Sequence, residues 1–467
     1  MKIEQLYTKC LAQGAYYIES NGEVAIIDPL RETQPYIDLA ASNQSSIKYI
    51  FETHFHADFV SGHLDLAKKT GATIVYGPTA QTQYDMHEAK DGEVFQIGNI
   101  TLTVLHTPGH TPESTTYLLK DENGVDKAIF TGDTLFIGDV GRPDLAIKGD
   151  LTQSDLAGML YDSLRTKIMP LADDVIVYPA HGAGSACGKN MSKETFDTLG
   201  NQKQSNYALR ADMTKEEFIS EVTDGLSKAP QYFAKNAMMN KTGYSSIDEV
   251  MESGLVALDP NEFEATVLQN NVLVLDTRKP QVFKDGFVPQ AINIGIDGGF
   301  APWVGTVITD INQAILIVAE PGREQEIVTR LARVGYDNTI GYLKGGMEAW
   351  IAAEKPIEKI ESIPATALEA RLEEGVILDV RKPSEYEAEH AENAQLFPLD
   401  YINNSLDQIN DETRYFVHCR SGYRSMVASS ILKAKGFNNI VEIAGGFMAI
   451  QKTNIPRTAF ECPNSKK

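Results

Sequence analysis

Short runs of β-branched and aromatic residues, each closed by a polar cluster, dominate the first 181 residues. EVAIID ends at Asp28, IKYIFETHFHAD delivers His54, His56 and Asp58, LTVLHTPGH delivers His110, AIFTGD delivers Asp133, and VIVYPAH delivers His181. Each run has the length and composition of a buried strand, and the Pro, Gly and Thr near its polar residues suit tight turns. The pattern predicts five strands ending in candidate ligands. Such ends can converge on one edge of a packed sheet, where loops carry chemistry on a rigid scaffold. From about residue 190 to 255 the pattern turns helical: SKETFDTL and TKEEFISEVTDGL each open on a capping hydroxyl with carboxylates close behind.

Beyond that connector the chain repeats itself. VLVLDTRKPQVFKDGFVPQAINI (272–294) matches VILDVRKPSEYEAEHAENAQLFPL (376–399), and GYDNTIGYLKGGMEAW (335–350) matches GFNNIVEIAGGFMAI (436–450). The offset of about one hundred residues implies two similar α/β domains in tandem, each a mostly parallel sheet covered by helices. The expected division is 1–255, 256–358 and 359–467.

A formal charge of -22 disfavours nucleic acid and anionic membrane surfaces as partners, so an anionic substrate must be small and met by individual arginines. The first twenty residues show no basic region followed by an apolar run, and no later stretch approaches a membrane span, which predicts a cytoplasmic protein. Four cysteines, Cys10, Cys187, Cys419 and Cys462, are too few and scattered for a disulfide framework. Each is read as a thiol.

His-x-His-x-Asp at 54–58, then TPGHT, TGD and AHG, each at a strand end, is a combined signal for a metal site. Residues 1 to about 250 resemble the metallo-beta-lactamase fold, in its glyoxalase II and persulfide dioxygenase branch. The resemblance implies an αββα domain. Phe59 stands where the family's second metal has a histidine ligand, which points to a single metal. By the same resemblance the ligands are His54, His110 and Asp133, a two-histidine, one-carboxylate face suited to one non-haem Fe(II) per domain, with positions open for substrate and O2. His56, Asp58 and His181 then orient ligands and bound water, or His56 also ligates. The GRPDL segment resembles the dioxygenase loop that brings an arginine beside the metal, so Arg142 with Asp144 is expected to meet the carboxylate of a thiol substrate; the plain alternative is an ion pair between the two. Cys187, six residues after His181, is either a small buried side chain or a thiol at the mouth of the iron site.

FVHCRSGYRS (416–425) lies between an apolar strand and a helix. There Cys419 faces successive backbone N–H groups and a helix N-terminus, with Arg420 and Arg424 adding positive charge, a setting that stabilises a thiolate or persulfide. Cysteine phosphatases need a longer ring around a phosphate; the shorter loop suits a sulfur atom. The passage resembles the rhodanese family, and both copies carry its strand-Asp-x-Arg opening, at Asp276 and Arg278 and at Asp379 and Arg381. Aligning ILIVAEPGREQE with RYFVHCRSGYRS puts Glu320 opposite Cys419, so the first copy is expected to be inactive. Cys462 reads as an incidental exposed thiol, and Cys10 has no supporting neighbours.

The fold class is thus α/β multidomain: an αββα metallo-beta-lactamase fold followed by two rhodanese-like α/β domains. The resemblance implies a persulfide dioxygenase fused to a tandem rhodanese, as in bacterial sulfide detoxification. It would oxidise a small thiol persulfide with O2 to sulfite and thiol, with Cys419 passing sulfur to sulfite to give thiosulfate, or the reverse. The resemblance also implies a homo-oligomer. Two alternatives stand: a glyoxalase II-type thioester hydrolase, and a non-oxidising sulfur carrier.

Overall fold

Alternation along one strand shows how the first fold is built. In β2 (Gln13–Ser20), Tyr16 and Ile18 point to one side, Ala15 and Tyr17 to the other, and all four are buried. A strand buried on both faces needs a cover on each side. The computed structural model, which describes residues 1–146, 151–226, 228–269 and 271–461, supplies both covers.

β1 (Lys2–Thr8), β2, β3 (Glu23–Ile27), β4 (Ser46–Glu52), β5 (Thr73–Tyr76) and β6 (His87–Glu88) form one sheet in chain order. β7 (Val94–Ile97), β8 (Ile100–His106), β9 (Thr115–Lys120), β10 (Asp126–Gly132), β11 (Ile176–Pro179) and β12 (Asp197–Thr198) form the second, also in chain order. Tyr16, Ile27 and Phe51 meet Leu102, Leu119 and Phe130 between the sheets. Burying each such side chain contributes roughly 1.5–3 kcal/mol. Helices Gln34–Ser42 and His63–Thr70 cover the outer face of the first sheet through Tyr36, Ala40 and Leu66. Helices Gln153–Ser163 and Lys215–Thr223 cover the second through Leu160 and Phe218. The result is the expected helix–sheet–sheet–helix sandwich.

Thr214 caps the helix Lys215–Thr223 in a reciprocal box with Glu217, as its sequence predicts. SKETFDTL differs. No helix starts at Ser192; Asp197–Thr198 joins the sheet beside β11, and the helix Leu199–Ser205 begins only after it, capped by Thr198. Pairing at a sheet edge outweighed local helix preference.

The chain divides into two compact units, Met1–Ile247 with Ala332–Gly335, and Asp248–Leu331 with Tyr336–Lys467. The second unit holds two five-stranded sheets. β13 (Ala257–Leu258), β14 (Val272–Asp276), β15 (Ile292–Asn293), β16 (Ala314–Val318) and β17 (Thr339–Leu343) run in the order 13-17-16-14-15. β18 (Glu361–Pro364), β19 (Val376–Asp379), β20 (Gln395–Leu396), β21 (Tyr415–His418) and β22 (Ile440–Ala444) run 18-22-21-19-20, the same order. All pairings are parallel. The shared Asp-x-Arg opening is a buried two-pronged ion pair in both copies, and Nη2 of each arginine also reaches a main-chain carbonyl, of Gly286 or Glu389.

Strand register corrects one sequence alignment. Asp276 pairs with Val318 and Asp379 with His418, so Ala319, not Glu320, is the counterpart of Cys419. Gly322 and Gly422, both at positive φ, fall into step on the same offset. The similar apolar runs before the loop allowed a one-residue slip that only hydrogen-bond pairing resolves. The first copy still lacks the thiol. Among the described residues, no helix is long and apolar enough to cross a membrane.

Candidate metal centre and sulfur loop

β3 and β4 run parallel in the first sheet and β10 and β11 in the second, so Asp28, Thr53–Asp58, Asp133 and His181 leave the strands at one edge. A close approach brings the sheets' ends together. Gly132 has φ +51°, and a Cβ there would lie 2.6 Å from the Thr53 side chain, so only glycine lets the Asp133 turn settle against the residue before His54.

One ligand atom each from His54, His110 and Asp133 lies within 4.8 Å of the others, and all three residues are buried. His110 Nε2 is 3.4 Å and His54 Nε2 3.9 Å from Asp133 Oδ2, while His181 Nε2 is 3.6 Å from Oδ1. The outer nitrogens are held by oxygens: His54 Nδ1 by Thr53 Oγ1 at 3.0 Å, His110 Nδ1 by the Arg142 carbonyl at 2.8 Å, His181 Nδ1 by the Ala12 carbonyl at 3.3 Å. Thr53 Oγ1 itself donates to Asp28, so it accepts from His54 Nδ1–H and leaves the Nε2 lone pair facing the aspartate.

This donor set fits a metal. Both Asp133 oxygens are buried without a hydrogen-bond partner, a cost that a cation beside them removes. Burial, helped by the charges of His56, His110 and His181, pushes the His54 pKa well below the histidine range, giving the neutral form a metal needs.

His56 belongs to a different set. Its Nε2 lies 3.0 Å from Asp28 Oδ1 and 3.4 Å from Glu52 Oε2. Burial opposes charge on His56, yet these carboxylates lift its pKa well above the usual range. Phe59 packs on the His56 ring, 4.4 Å between centroids at 33°. His56, Asp58 and His181 also offer atoms within 4.8 Å of one another, and so do Asp133, His181 and Cys187. Cys187 is therefore beside the metal set, its thiol pKa pushed well above the ordinary value by burial and by Asp58 and Asp133. A cation here would pull it down.

Arg142 is buried and grips Asp144 with two hydrogen bonds of 2.6 and 2.7 Å. Its main chain both receives His110 Nδ1 and donates to the Cys187 carbonyl. Two supports hold the set from outside, Asp28, which the sequence marks as a strand-end candidate ligand, and Asn240, which sequence reasoning missed. Asp28 accepts from both the backbone N–H and the hydroxyl of Thr53 at 2.8 Å. Asn240, on helix Phe233–Thr242, donates to the carbonyls of His56 and Phe59 at 2.8 Å and accepts from Ser61 N–H. Asp28→Asn, which puts a donor against the Thr53 donors, is expected to weaken metal binding about 10–100-fold, read by competition with a chelating dye.

In the second unit, Cys419 follows β21 and precedes helix Tyr423–Ala434. Gly422 N–H donates to its Sγ at 3.1 Å, and Ser425 Oγ lies 3.6 Å away. Gly446, at φ +59°, leaves no room for a Cβ, which would sit 2.5 Å from the Cys419 carbonyl. Phe447 N–H can thus bond that carbonyl at 2.7 Å and hold the loop. Arg424 is fastened to Glu385 by bonds of 2.6 and 2.8 Å, whereas Arg420 is exposed on a cavity of about 250 Å³ that Arg381, Phe447 and Met448 also line.

The Metallo-beta-lactamase superfamily pattern matches residues 9–181, and the Rhodanese-like domain pattern matches 259–353 and 364–453. The crystal structure of a metallo-beta-lactamase from Staphylococcus aureus subsp. aureus COL aligns over 74% of this chain and 98% of that one, at 31% identity and a TM-score of 0.64. Glyoxylase B2 of Dictyostelium discoideum is 30% identical over 247 residues, 48% of this chain and 78% of its own length. The chain belongs to the metallo-beta-lactamase superfamily. Human persulfide dioxygenase ETHE1 is 34% identical over 161 residues, 34% of this chain, which spans 59% of that protein. The metallo-beta-lactamase domain thus has both glyoxylase-named and dioxygenase-named relatives, and two rhodanese-like domains follow it. Within the metallo-beta-lactamase pattern fall His54, His110, Asp133 and His181; Asn240 lies beyond it.

Proposed function

We propose that this chain oxidises small-thiol persulfides with O2 in its metallo-beta-lactamase domain and transfers sulfane sulfur at Cys419, as a cytoplasmic sulfide-detoxifying enzyme. The division of labour follows 1–255, an inactive rhodanese-like domain at 256–358, and an active one at 359–467. The observation that carries the reading is His56 turned onto Asp28 and Glu52 under Phe59, which leaves His54, His110 and Asp133 as a three-ligand set of their own. The absence of disulfides at Cys10, Cys187 and Cys419 suits a reducing compartment.

Iron(II) on that face would supply the redox chemistry that lets O2 react with a persulfide, which zinc does not. The protein's own groups do the rest. Thr53 and the Arg142 carbonyl fix the rings of His54 and His110. His181 Nε2, 3.4 Å from Asp58, is placed to take up a proton. The anionic end of the thiol would be met by Arg142, whose guanidinium Asp144 holds in place. The balance is RSSH + O2 + H2O giving RSH, sulfite and two protons. At Cys419 the terminal sulfur of a cysteine persulfide then passes to sulfite, giving thiosulfate and a thiolate.

The test is O2 uptake by iron-loaded protein on addition of glutathione persulfide, with sulfite and thiosulfate quantified. Uptake matching persulfide consumed is expected; none by well-loaded protein would overturn the dioxygenase reading. A second reading, thioester hydrolysis with two metals, is favoured by the closeness of His56, Asp58 and His181. It predicts glutathione thioester cleavage without O2.

A further inference from the structure

Behind the sulfur loop lies a buried carboxylate that the proposed chemistry does not yet use. Glu442 is central in β22, in register with Ser362 of β18 on one side and Val417 of β21 on the other. Ser362 Oγ donates to its Oε2 at 2.6 Å, and Ser425 Oγ donates to its Oε1 at 3.0 Å. Ser425 in turn is the hydroxyl 3.6 Å from Cys419 Sγ. Thiol, hydroxyl and carboxylate form one hydrogen-bonded line.

The inactive copy supplies an internal control. Tyr342 holds the register of Glu442, paired with Ala257 and Ile317. On the same offset Ala319 replaces Cys419 and Gln325 replaces Ser425. The fold is kept and all three members of the line are gone together, so β-sheet packing alone does not call for them.

We propose that Glu442 takes up the proton that Cys419 gives up: Cys419 Sγ–H passes its proton to Ser425 Oγ as the Ser425 hydroxyl proton passes to Glu442 Oε1. The products are a Cys419 thiolate and a neutral Glu442 acid, with no change of oxidation state. Resting on the sulfurtransferase reading, the next step is attack of that thiolate on the outer sulfur of thiosulfate. A new S–S bond forms at Cys419, the old one breaks, and sulfite leaves with the bonding pair. Glu442 acts through Ser425 and is a positioning residue.

Burial raises the proton affinity of Glu442, Ser362 and Ser425 pull it back, and the charge of Lys284 lowers it further. Among the described residues no cation forms an ion pair with its carboxylate, so it remains a better base than an exposed glutamate. Around Cys419, the nearby charges are Arg424, held by Glu385 and near Asp400, and exposed Arg420; His418, whose pKa burial lowers, sits 3.7 Å from Asp379. None of these hydrogen-bonds the Ser425 hydroxyl, whose proton is shared between Glu442 Oε1 and the Gly422 carbonyl at 3.1 Å. Below the Glu442 pKa the carboxyl already holds a proton, and Cys419 loses its acceptor.

The test uses the full chain, measuring Cys419 carboxamidomethylation by iodoacetamide across pH by peptide mass, and single-turnover loading from thiosulfate. In Glu442→Gln and in Ser425→Ala both rates are expected to fall about 100-fold near neutrality, with the acid limb of the profile lost. The double variant is expected to be no slower than either single one, because both break one line. A Glu442→Gln profile like wild type, or losses that multiply in the double variant, would overturn the relay. If wild type fails to load from thiosulfate while the alkylation profiles behave as expected, the relay stands and the sulfurtransferase reading falls.

Discussion

Asp133→Ala is expected to abolish metal binding and, with it, persulfide-dependent O2 uptake, while the protein stays folded. Asp133 alone touches all three histidine nitrogens of the edge, at 3.4, 3.6 and 3.9 Å, so no other residue can replace its charge there. Outer-sphere changes at metal sites cost roughly 10–100-fold in affinity, and loss of the sole carboxylate of a three-ligand face should exceed about 100-fold. Folding should not suffer, because both oxygens are buried without a hydrogen-bond partner, so removing the carboxylate relieves a desolvation cost. Metal content by mass spectrometry, with melting temperatures in chelator and in metal, reads both halves. Wild type should gain stability on metal addition and the variant should not. A variant that keeps its metal would move the centre to His56, Asp58 and His181.

Cys419→Ser is expected to cut sulfur transfer from thiosulfate to cyanide by more than about 10³-fold and leave O2 uptake in place. Serine can still accept the Gly422 N–H, so the loop keeps its shape. What goes is the atom: oxygen forms no transferable sulfane bond, and its proton is held far more tightly than a thiol's. With persulfide and O2, the variant should release sulfite where wild type releases thiosulfate. Equal thiosulfate from both would place sulfur transfer elsewhere.

The ligand strands were legible because each is a local pattern with an abrupt polar end, and β3, β4, β8, β10 and β11 all stop where Asp28, His54, His110, Asp133 and His181 approach. The tandem was legible from repetition, and the two sheets share one strand order. What escaped was set by partners far along the chain. Asn240 reaches His56 across 184 residues, with nothing in its own helix to mark it. Glu385 takes Arg424 across 39 residues, so a loop arginine that local sequence aims at sulfur is tied back instead. The slip between Ala319 and Glu320 has the same origin, since a strand's register lies in its neighbour and not in its own residues.

The reach of Asn240 also sets how the oxidising half could be moved between proteins. All the ligands lie before residue 182, so a fragment cut after the second sheet would look complete by inventory. Yet the peptide carrying His56 and Phe59 is buttoned down by a helix that starts at Phe233 and ends at Thr242. The smallest transplantable module therefore runs past that helix, and a chimera joined upstream of it would inherit the metal's donors without the clasp that sets their angle.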